Sequence, residues 1–227
     1  MKAAVILSGC GVYDGAEIHE SVLTLLALEE EGIGYQIFAP NKKQHHVINH
    51  LTGEEMPEER NVMVEAARIA RGAVTEVKDL DMNEFDLLIL PGGFGAAKNL
   101  NQWALKGPEG ELDAEVAKAI QTAFSQQKVL VGLCMGPTVL AQALKDAGKA
   151  IQLTVGSTEA PSPYDIAGIN AGLSSIGSRP SNSTKKEVTL DHAHKVVTAP
   201  CYTMEASLFE VRKNIQQAIR SAKKMVG

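Results

Sequence analysis

The amino-acid sequence predicts an α/β protein built on an open, doubly wound, mostly parallel sheet with helices on both faces. Short runs such as AAVILS (3–8) and KVLVGLC (128–134) are apolar at successive positions, as expected for parallel strands covered on both sides. Longer segments with apolar residues three or four positions apart separate these runs, which is typical of helices that cross over between parallel strands. In such a sheet, ligands bind beyond the carboxyl ends of the strands.

The predicted elements follow one another in a regular order. The first strand, at 3–8, is shorter than the apolar core of a secretory signal and breaks at Ser8 and Gly9, so we interpret it as a buried strand. Further strands are predicted at 35–40, 86–93 and 128–134. Helices are predicted at 17–32, 62–72, 111–127 and 136–148.

Three segments interrupt this alternation. Residues 41–61 are polar and rich in histidine and glutamate, and they follow the second strand, where we predict an insertion beside the active site. Residues 156–186 are rich in Gly, Pro and Ser and predict a loop with at most one helix. Residues 186–200 predict two short strands around a polar turn, and a final helix begins at about Glu205. The length of 227 residues fits one domain, 1–227.

Composition and charge argue against several classes of protein. Apolar residues make up 44% and charged residues 22%, which is ordinary for a globular chain. The net charge of −5, without a long basic stretch, gives no reason to expect a nucleic-acid or membrane partner. No apolar run approaches the roughly 20 residues that a membrane helix needs. Three cysteines do not make a disulfide framework, so we expect a reducing compartment and a cytoplasmic location.

The segment GLCMG (132–136) has the spacing of a nucleophile elbow, with a strand before it and a helix after it. Small residues two positions before and after a nucleophile are needed because the turn is strained and presses on its neighbours. We therefore predict Cys134 as the nucleophile, with a thiol pKa lowered by the helix that begins at Gly136. The alternative is a small buried hydrophobic side chain. Cys10 is predicted to be structural or auxiliary, and Cys201 to be inert.

A nucleophile also needs an oxyanion site and a group that moves protons. The glycine-rich turn LPGGFG (90–95) ends a strand, and Gly92, Gly93 and the amide of Met135 are the predicted oxyanion and substrate-binding groups. Asp14 and Glu17 have the spacing of a capping box, which gives Glu17 a structural role. Glu20 lies one helical turn further along and has no such role, so it is a candidate acid or base, although most glutamates on helices are simply solvated.

Four stretches carry a resemblance to the PfpI superfamily, a branch of the class I glutamine amidotransferase-like proteins: GAEIHESV, LPGGFGAAKNL, GLCMGP and KVVTAP. SGCGVYDGAEIHE and VINHLTGE further resemble its enhancing-lycopene-biosynthesis (ElbB-type) branch, which is known as a glyoxalase. The resemblance implies a flavodoxin-like fold, a homodimer, the family glutamate at Glu20 and the oxyanion glycine at Gly93. Several relatives carry a histidine where this chain has Gly156, so a Cys-His-acid triad and amide hydrolysis are not expected.

The resemblance and the candidate residues together predict a cofactor-independent glyoxalase for small α-dicarbonyls such as glyoxal, acting through a Cys134 hemithioacetal and related to deglycase-type activity. One alternative is a redox sensor or regulatory protein in which Cys134 is oxidised beside Glu20. Another is an accessory protein of isoprenoid biosynthesis, which rests on the branch name alone. The His-His and His-x-His pairs lack further ligands at recognisable spacing, so no metal is expected.

Overall fold

A seven-stranded sheet forms the centre of the molecule, in a computed structural model that describes residues 1–227. Its strand order is β3-β2-β1-β4-β5-β9-β8, and only β8 runs antiparallel to its neighbour. Two further strands, β6 and β7, pair in a small parallel sheet. The strands are β1 (Lys2–Ile6), β2 (Gly34–Ala39), β3 (Val74–Glu76), β4 (Leu87–Leu90), β5 (Val129–Leu133), β6 (Gln152–Gly156), β7 (Arg179–Asn182), β8 (Thr189–Asp191) and β9 (Val196–Ala199).

Helices cover both faces of this sheet, so the predicted fold class is confirmed. The chain runs from β1 outward to β3 and then begins again at β4 on the other side of β1. Right-handed crossovers therefore place the first helices on one face and the helix before β5 on the other. None of the α-helices is both long and apolar enough to span a lipid bilayer. The helices are α1 (Ile18–Glu30), α2 (Val62–Ile69), α3 (Trp103–Lys106), α4 (Ala114–Ser125), α5 (Gly136–Leu144), α6 (Ile166–Ser175) and α7 (Leu208–Val226).

The reversal of strand order between β1 and β4 locates the functional end of the sheet. Open α/β sheets bind ligands in the crevice that opens where neighbouring crossovers leave in opposite directions. The register brings the carboxyl ends of the central strands together, since Leu90 lies opposite Gly132 and Leu133 lies opposite Ala199. The loops that follow β1, β4, β5 and β9 consequently meet at one place.

The central strands are buried along their length, which explains their uninterrupted apolar sequences. All four residues of β4 are fully buried, as are Ala3–Ile6 of β1. They belong to one contiguous core of 54 buried residues. Phe38 and Phe85 pack edge to face within it, with ring centroids 5.6 Å apart.

Most predicted boundaries agree with the structure to within a few residues. The predicted strand at 86–93 ends early, at Leu90, because the turn that follows belongs to the site. The predicted helix at 62–72 ends at Ile69, and Arg71 and Gly72 then adopt positive φ angles of 52° and 86°. Segment 156–186 contains both α6 and β7, and the missed strand β3 has only three residues, too few for a recognisable pattern.

The polar insertion at 41–61 has no helix and is anchored to the loop after β1. The N–H of Ile48 donates to Asp14 Oδ2 at 2.7 Å, and the N–H of His45 donates to Asn99 Oδ1 at 2.9 Å. The side-chain amide of Asn99 in turn donates to the carbonyl oxygens of Ser8 and Asp14, both at 2.9 Å. The insertion therefore braces the β1–α1 loop.

Asn214 of α7 provides a test of how the loop after β9 is held. Its buried side chain accepts the N–H of Cys201 at 3.0 Å and donates to the carbonyl of Glu187 at 2.8 Å. We expect Asn214→Ala to lower the free energy of unfolding by about 1–3 kcal/mol, because it leaves these buried groups unpaired. Gln217→Ala, on the exposed side of α7, should change it by less than about 0.5 kcal/mol. Urea unfolding measures both, and equal values would contradict the assignment.

Candidate active site

Cys134 stands at a strained turn between β5 and α5, as the elbow prediction requires. Its φ angle of +55° lies in the left-handed region that non-glycine residues rarely adopt. A Cβ atom on Gly136 would lie 2.4 Å from the Leu90 carbonyl oxygen, and one on Gly132 would lie 2.9 Å from the Pro137 nitrogen. Both glycines are therefore required by close packing, and the predicted elbow is confirmed.

Glu20 contacts this cysteine from the first turn of α1. Its carboxyl group has no exposed surface. Oε2 accepts the N–H of Gly92 at 3.1 Å, Oε1 accepts the N–H of Tyr202 at 3.1 Å, and the group also hydrogen-bonds with the Cys134 thiol. The loops after β4, β5 and β9 thus each supply one partner to a single carboxyl group.

The Glu20 carboxyl group and the Cys134 thiol affect each other's pKa. Burial raises the pKa of Glu20 to about 8, and the charge of Glu17 adds to this effect. Burial, followed by the charge of Glu20, raises the pKa of the Cys134 thiol well above its usual value. The N–H groups of Gly93 and Met135 act in the opposite direction. The predicted lowering of the thiol pKa by α5 is wrong, because desolvation and a neighbouring carboxyl group outweigh two N–H groups.

The predicted oxyanion groups divide into two sets. The N–H groups of Gly93 and Met135 both point to the sulfur of Cys134, where an oxygen on an attached carbon would also lie. Gly92 differs from the prediction, because its N–H is occupied by Glu20. Gly92 is nevertheless required sterically, since a Cβ atom there would lie 2.3 Å from Cys134 Cβ. It positions Glu20 and does not face a ligand.

The start of α1 differs from the predicted capping box. Glu17 is itself the N-cap residue, and its Oε2 accepts the N–H of Glu20 at 2.6 Å. Asp14 instead accepts the N–H of Ile48 from the insertion. The spacing of Asp14 and Glu17 misled because the chain makes an additional turn before the helix begins. Burial raises the pKa of Glu17 as well.

The other two cysteines have different surroundings. Cys10 is half-buried in the loop after β1, and burial followed by the charge of Glu65 raises its pKa. Cys201 is fully buried, has a φ angle of +51°, and lies against the backbone N–H of Cys134. Sequence reasoning missed this contact because only the pairing of β9 with β5 brings the two residues together.

Histidine side chains take no part in the site. His19 hydrogen-bonds with the Tyr202 hydroxyl at 3.1 Å on the surface, and His194 pairs with Asp191 at 2.8 Å. Gly156 ends β6 with a φ angle of +145°, and a Cβ atom there would lie 2.8 Å from Met204 Sδ. A larger side chain at this position would therefore require repacking.

A cavity of about 250 Å³ opens over the sulfur of Cys134. Nine of its eleven lining residues are hydrophobic, and four of the eleven are aromatic. Glu17 lines the cavity whereas Glu20 does not. The lining residues are Val12, Glu17, Gly93, Phe94, Trp103, Ala104, Cys134, Met135, Tyr164, Ile169 and Tyr202.

Known proteins match this chain over its whole length. The sequence model of the DJ-1/PfpI family matches residues 3–155. The chain is 37% identical over 229 residues to human glutamine amidotransferase-like class 1 domain-containing protein 3, mitochondrial, covering all of this chain and 84% of that protein. It is 35% identical over 228 residues to the rat ES1 protein homolog, mitochondrial, with the same coverage. The cytoplasmic location expected from the sequence stays a prediction.

Solved structures show the same fold. An isoprenoid biosynthesis protein with an amidotransferase-like domain from Ehrlichia chaffeensis has a TM-score of 0.90 and 31% identity, and the match covers both chains completely. Drosophila melanogaster DJ-1beta has a TM-score of 0.56 at 17% identity, covering all of this chain and 90% of that one. The second likeness concerns the fold alone.

The raised pKa of Glu20 predicts a specific dependence of stability on pH. A carboxyl group whose pKa is higher in the folded than in the unfolded state stabilises the fold fully below about pH 4.5, and this contribution is lost as the pH rises through about 8. We expect the wild type to lose on the order of a few kcal/mol between pH 5 and pH 9 that Glu20→Gln does not lose. Urea unfolding at several pH values measures this, and parallel curves for the two proteins would contradict it.

Proposed function

The chain belongs to the DJ-1/PfpI family, and we propose that it is a cofactor-independent glyoxalase that converts glyoxal to glycolate. One observation carries this proposal: a buried carboxyl group with a pKa of about 8 touches the thiol at the elbow, and two N–H groups point to the same sulfur. A base in contact with the thiol and an adjacent oxyanion site are what thiol addition to a carbonyl needs.

The first step is addition of the Cys134 sulfur to one aldehyde carbon of glyoxal. The S–C bond forms as the thiol proton passes to the Glu20 carboxylate, and the carbonyl oxygen becomes an oxyanion held by the N–H groups of Gly93 and Met135. Glu20 then returns the proton to this oxygen, which gives a hemithioacetal. The raised thiol pKa is compatible with this order, since the proton leaves only as the new bond forms.

The remaining steps rearrange the adduct internally. Loss of the proton on the sulfur-bearing carbon gives an enediol, and protonation of the neighbouring carbon gives a glycoloyl thioester of Cys134. One carbon is oxidised and the other is reduced, so no external electron acceptor is consumed. Water then hydrolyses the thioester, which releases glycolate and a proton and restores the thiol.

The absence of histidine from the cavity wall favours a carbonyl over an amide as the target. Amide hydrolysis must protonate a departing amine, and cysteine hydrolases use histidine for this step. Isomerisation of a dicarbonyl has no leaving amine. The expectation of deglycase-type activity remains compatible with the same thiol addition.

Two alternatives remain beside this proposal. A redox sensor would use the same thiol, but Cys134 is 5% exposed and its raised pKa disfavours attack on peroxide. An accessory role in isoprenoid biosynthesis is compatible with the description of the Ehrlichia relative. The homodimer implied by the sequence resemblance stays a prediction.

Glycolate formation from glyoxal tests the proposal directly. We expect Cys134→Ala to fall to the background rate and Glu20→Gln to lose about 100-fold or more in kcat, because each removes one of the groups that form the adduct. Cys10→Ser is the matched control and should keep the wild-type rate, since Cys10 does not line the cavity. The assay must be free of added thiols and of amine buffers, which react with glyoxal themselves. Wild-type rates in Cys134→Ala would refute the mechanism, and selective dioxidation of Cys134 by peroxide without turnover would favour the sensor.

A further inference from the structure

The cavity over Cys134 is larger than glyoxal requires. Glyoxal has four non-hydrogen atoms, and at about 30 Å³ for each water-sized group it fills at most about half of the 250 Å³ available. Phe94, Trp103 and Tyr164 line this cavity together with Cys134. The rings of Phe94 and Tyr164 meet edge to face, with centroids 5.8 Å apart, and form one continuous aromatic wall.

The charge of the wall also selects among substrates. No lysine or arginine lines the cavity, and its only ionisable carboxyl group is that of Glu17. An anionic substituent would lose its hydration without gaining a counter-charge, and it would lie near both Glu17 and Glu20. Aromatic and branched apolar groups would exchange water for contact with aromatic rings.

Resting on the glyoxalase activity proposed above, we propose that the preferred substrates are uncharged 2-oxoaldehydes that carry a ring-sized apolar substituent. The aldehyde carbon lies at Cys134, and the substituent fills the space between Trp103, Tyr164 and Ile169. The product is the corresponding 2-hydroxy acid, formed by the same internal hydrogen transfer and addition of water.

Three probes test this substrate class: glyoxal, phenylglyoxal and 4-carboxyphenylglyoxal, which adds only a negative charge to the ring. We expect kcat/KM for phenylglyoxal to exceed that for glyoxal about tenfold or more, and the carboxylate to lose at least about tenfold relative to phenylglyoxal. Ile169→Lys should shift the ratio between the two ring substrates toward the anion, and this ratio does not depend on the amount of folded enzyme. Val64→Lys, an exposed substitution on α2, should leave the ratio unchanged.

The outcomes separate this inference from the function on which it rests. Turnover of none of the three probes would refute the glyoxalase itself. Turnover of glyoxal with an equal or lower kcat/KM for phenylglyoxal would refute the substrate class alone. Equal values for the two ring substrates would refute the exclusion of anions.

A second, independent observation concerns which carboxyl group meets the substrate. Glu20 has no exposed surface, its two oxygens accept N–H groups, and it does not line the cavity. Glu17 lines the cavity. Its Oε2 caps α1 by accepting the N–H of Glu20, and the N–H of His19 also lies against this carboxyl group. Cys134 lines the same cavity, so a hemithioacetal on its sulfur would extend toward Glu17.

We infer that Glu17 is a catalytic residue that takes the proton from the sulfur-bearing carbon and returns it to the neighbouring carbon. Glu20 then acts only on the thiol and the oxygen derived from the attacked carbonyl. Two carboxyl groups one helical turn apart thus carry out different proton transfers. Burial raises the pKa of Glu17, which suits a group that must both accept and give back a proton.

Glu17→Gln separates this role from helix capping, because the glutamine oxygen can still accept the N–H of Glu20. We expect kcat to fall about 100-fold or more and the deuterium isotope effect with fully deuterated glyoxal to increase, since C–H cleavage becomes slower. The rate at which iodoacetamide alkylates Cys134 should not fall, because Glu20 still serves the thiol and loss of the Glu17 charge lowers the pKa of Glu20. Glu65→Gln, a buried carboxyl group outside the cavity, is the control for turnover.

Each result of this experiment is decisive. Unchanged turnover in Glu17→Gln would overturn the inference. A fall in turnover with slower alkylation and an unchanged isotope effect would assign Glu17 a structural role only. Failure of the wild type to turn over glyoxal would refute the underlying function instead.

Discussion

The site depends on the hydrogen bonds made by the carboxyl group of Glu20, which is buried away from solvent. Moving Glu20 out of water is costly, and two backbone N–H groups and one thiol offset that cost only if they converge on it. They come from the loops after β4, β9 and β5, so three strand ends must agree in register. Residue 92, which supplies one of these N–H groups, must be glycine, because a Cβ atom there would overlap both Cys134 and Glu20. The missing side chain at position 92 is a consequence of this one group.

The sequence and its family resemblance were enough to predict the fold and the contact between Glu20 and Cys134. Strands such as β4 are apolar at every position because both faces are covered, and GLCMG marks the elbow by its two required glycines. The sequence could not show which of two opposing effects on the pKa of Cys134 is larger. The dipole of α5 and the burial of Cys134 both follow from its position, but only the three-dimensional surroundings show that burial outweighs the dipole.

Contacts between distant segments also lay beyond sequence reasoning. Cys201 carries no motif, and its place against Cys134 follows only from the pairing of β9 with β5. Asp14 and Glu17 have the spacing of a capping box. In the structure, however, Asp14 accepts a hydrogen bond from the N–H of Ile48 in the insertion at 41–61. An insertion that contains no helix or strand thereby changed the role of a residue 34 positions earlier. Local spacing alone could not reveal this competition.

The span between Glu20 and Tyr202 has a consequence for how the protein matures. These two residues are 182 positions apart, and Tyr202 is held through Cys201 by Asn214 of α7. During synthesis, the core strands β1 to β5 emerge from the ribosome long before the segment that supplies the second N–H group. The buried surroundings of Glu20 are therefore complete only after almost the whole of this sequence has been synthesised.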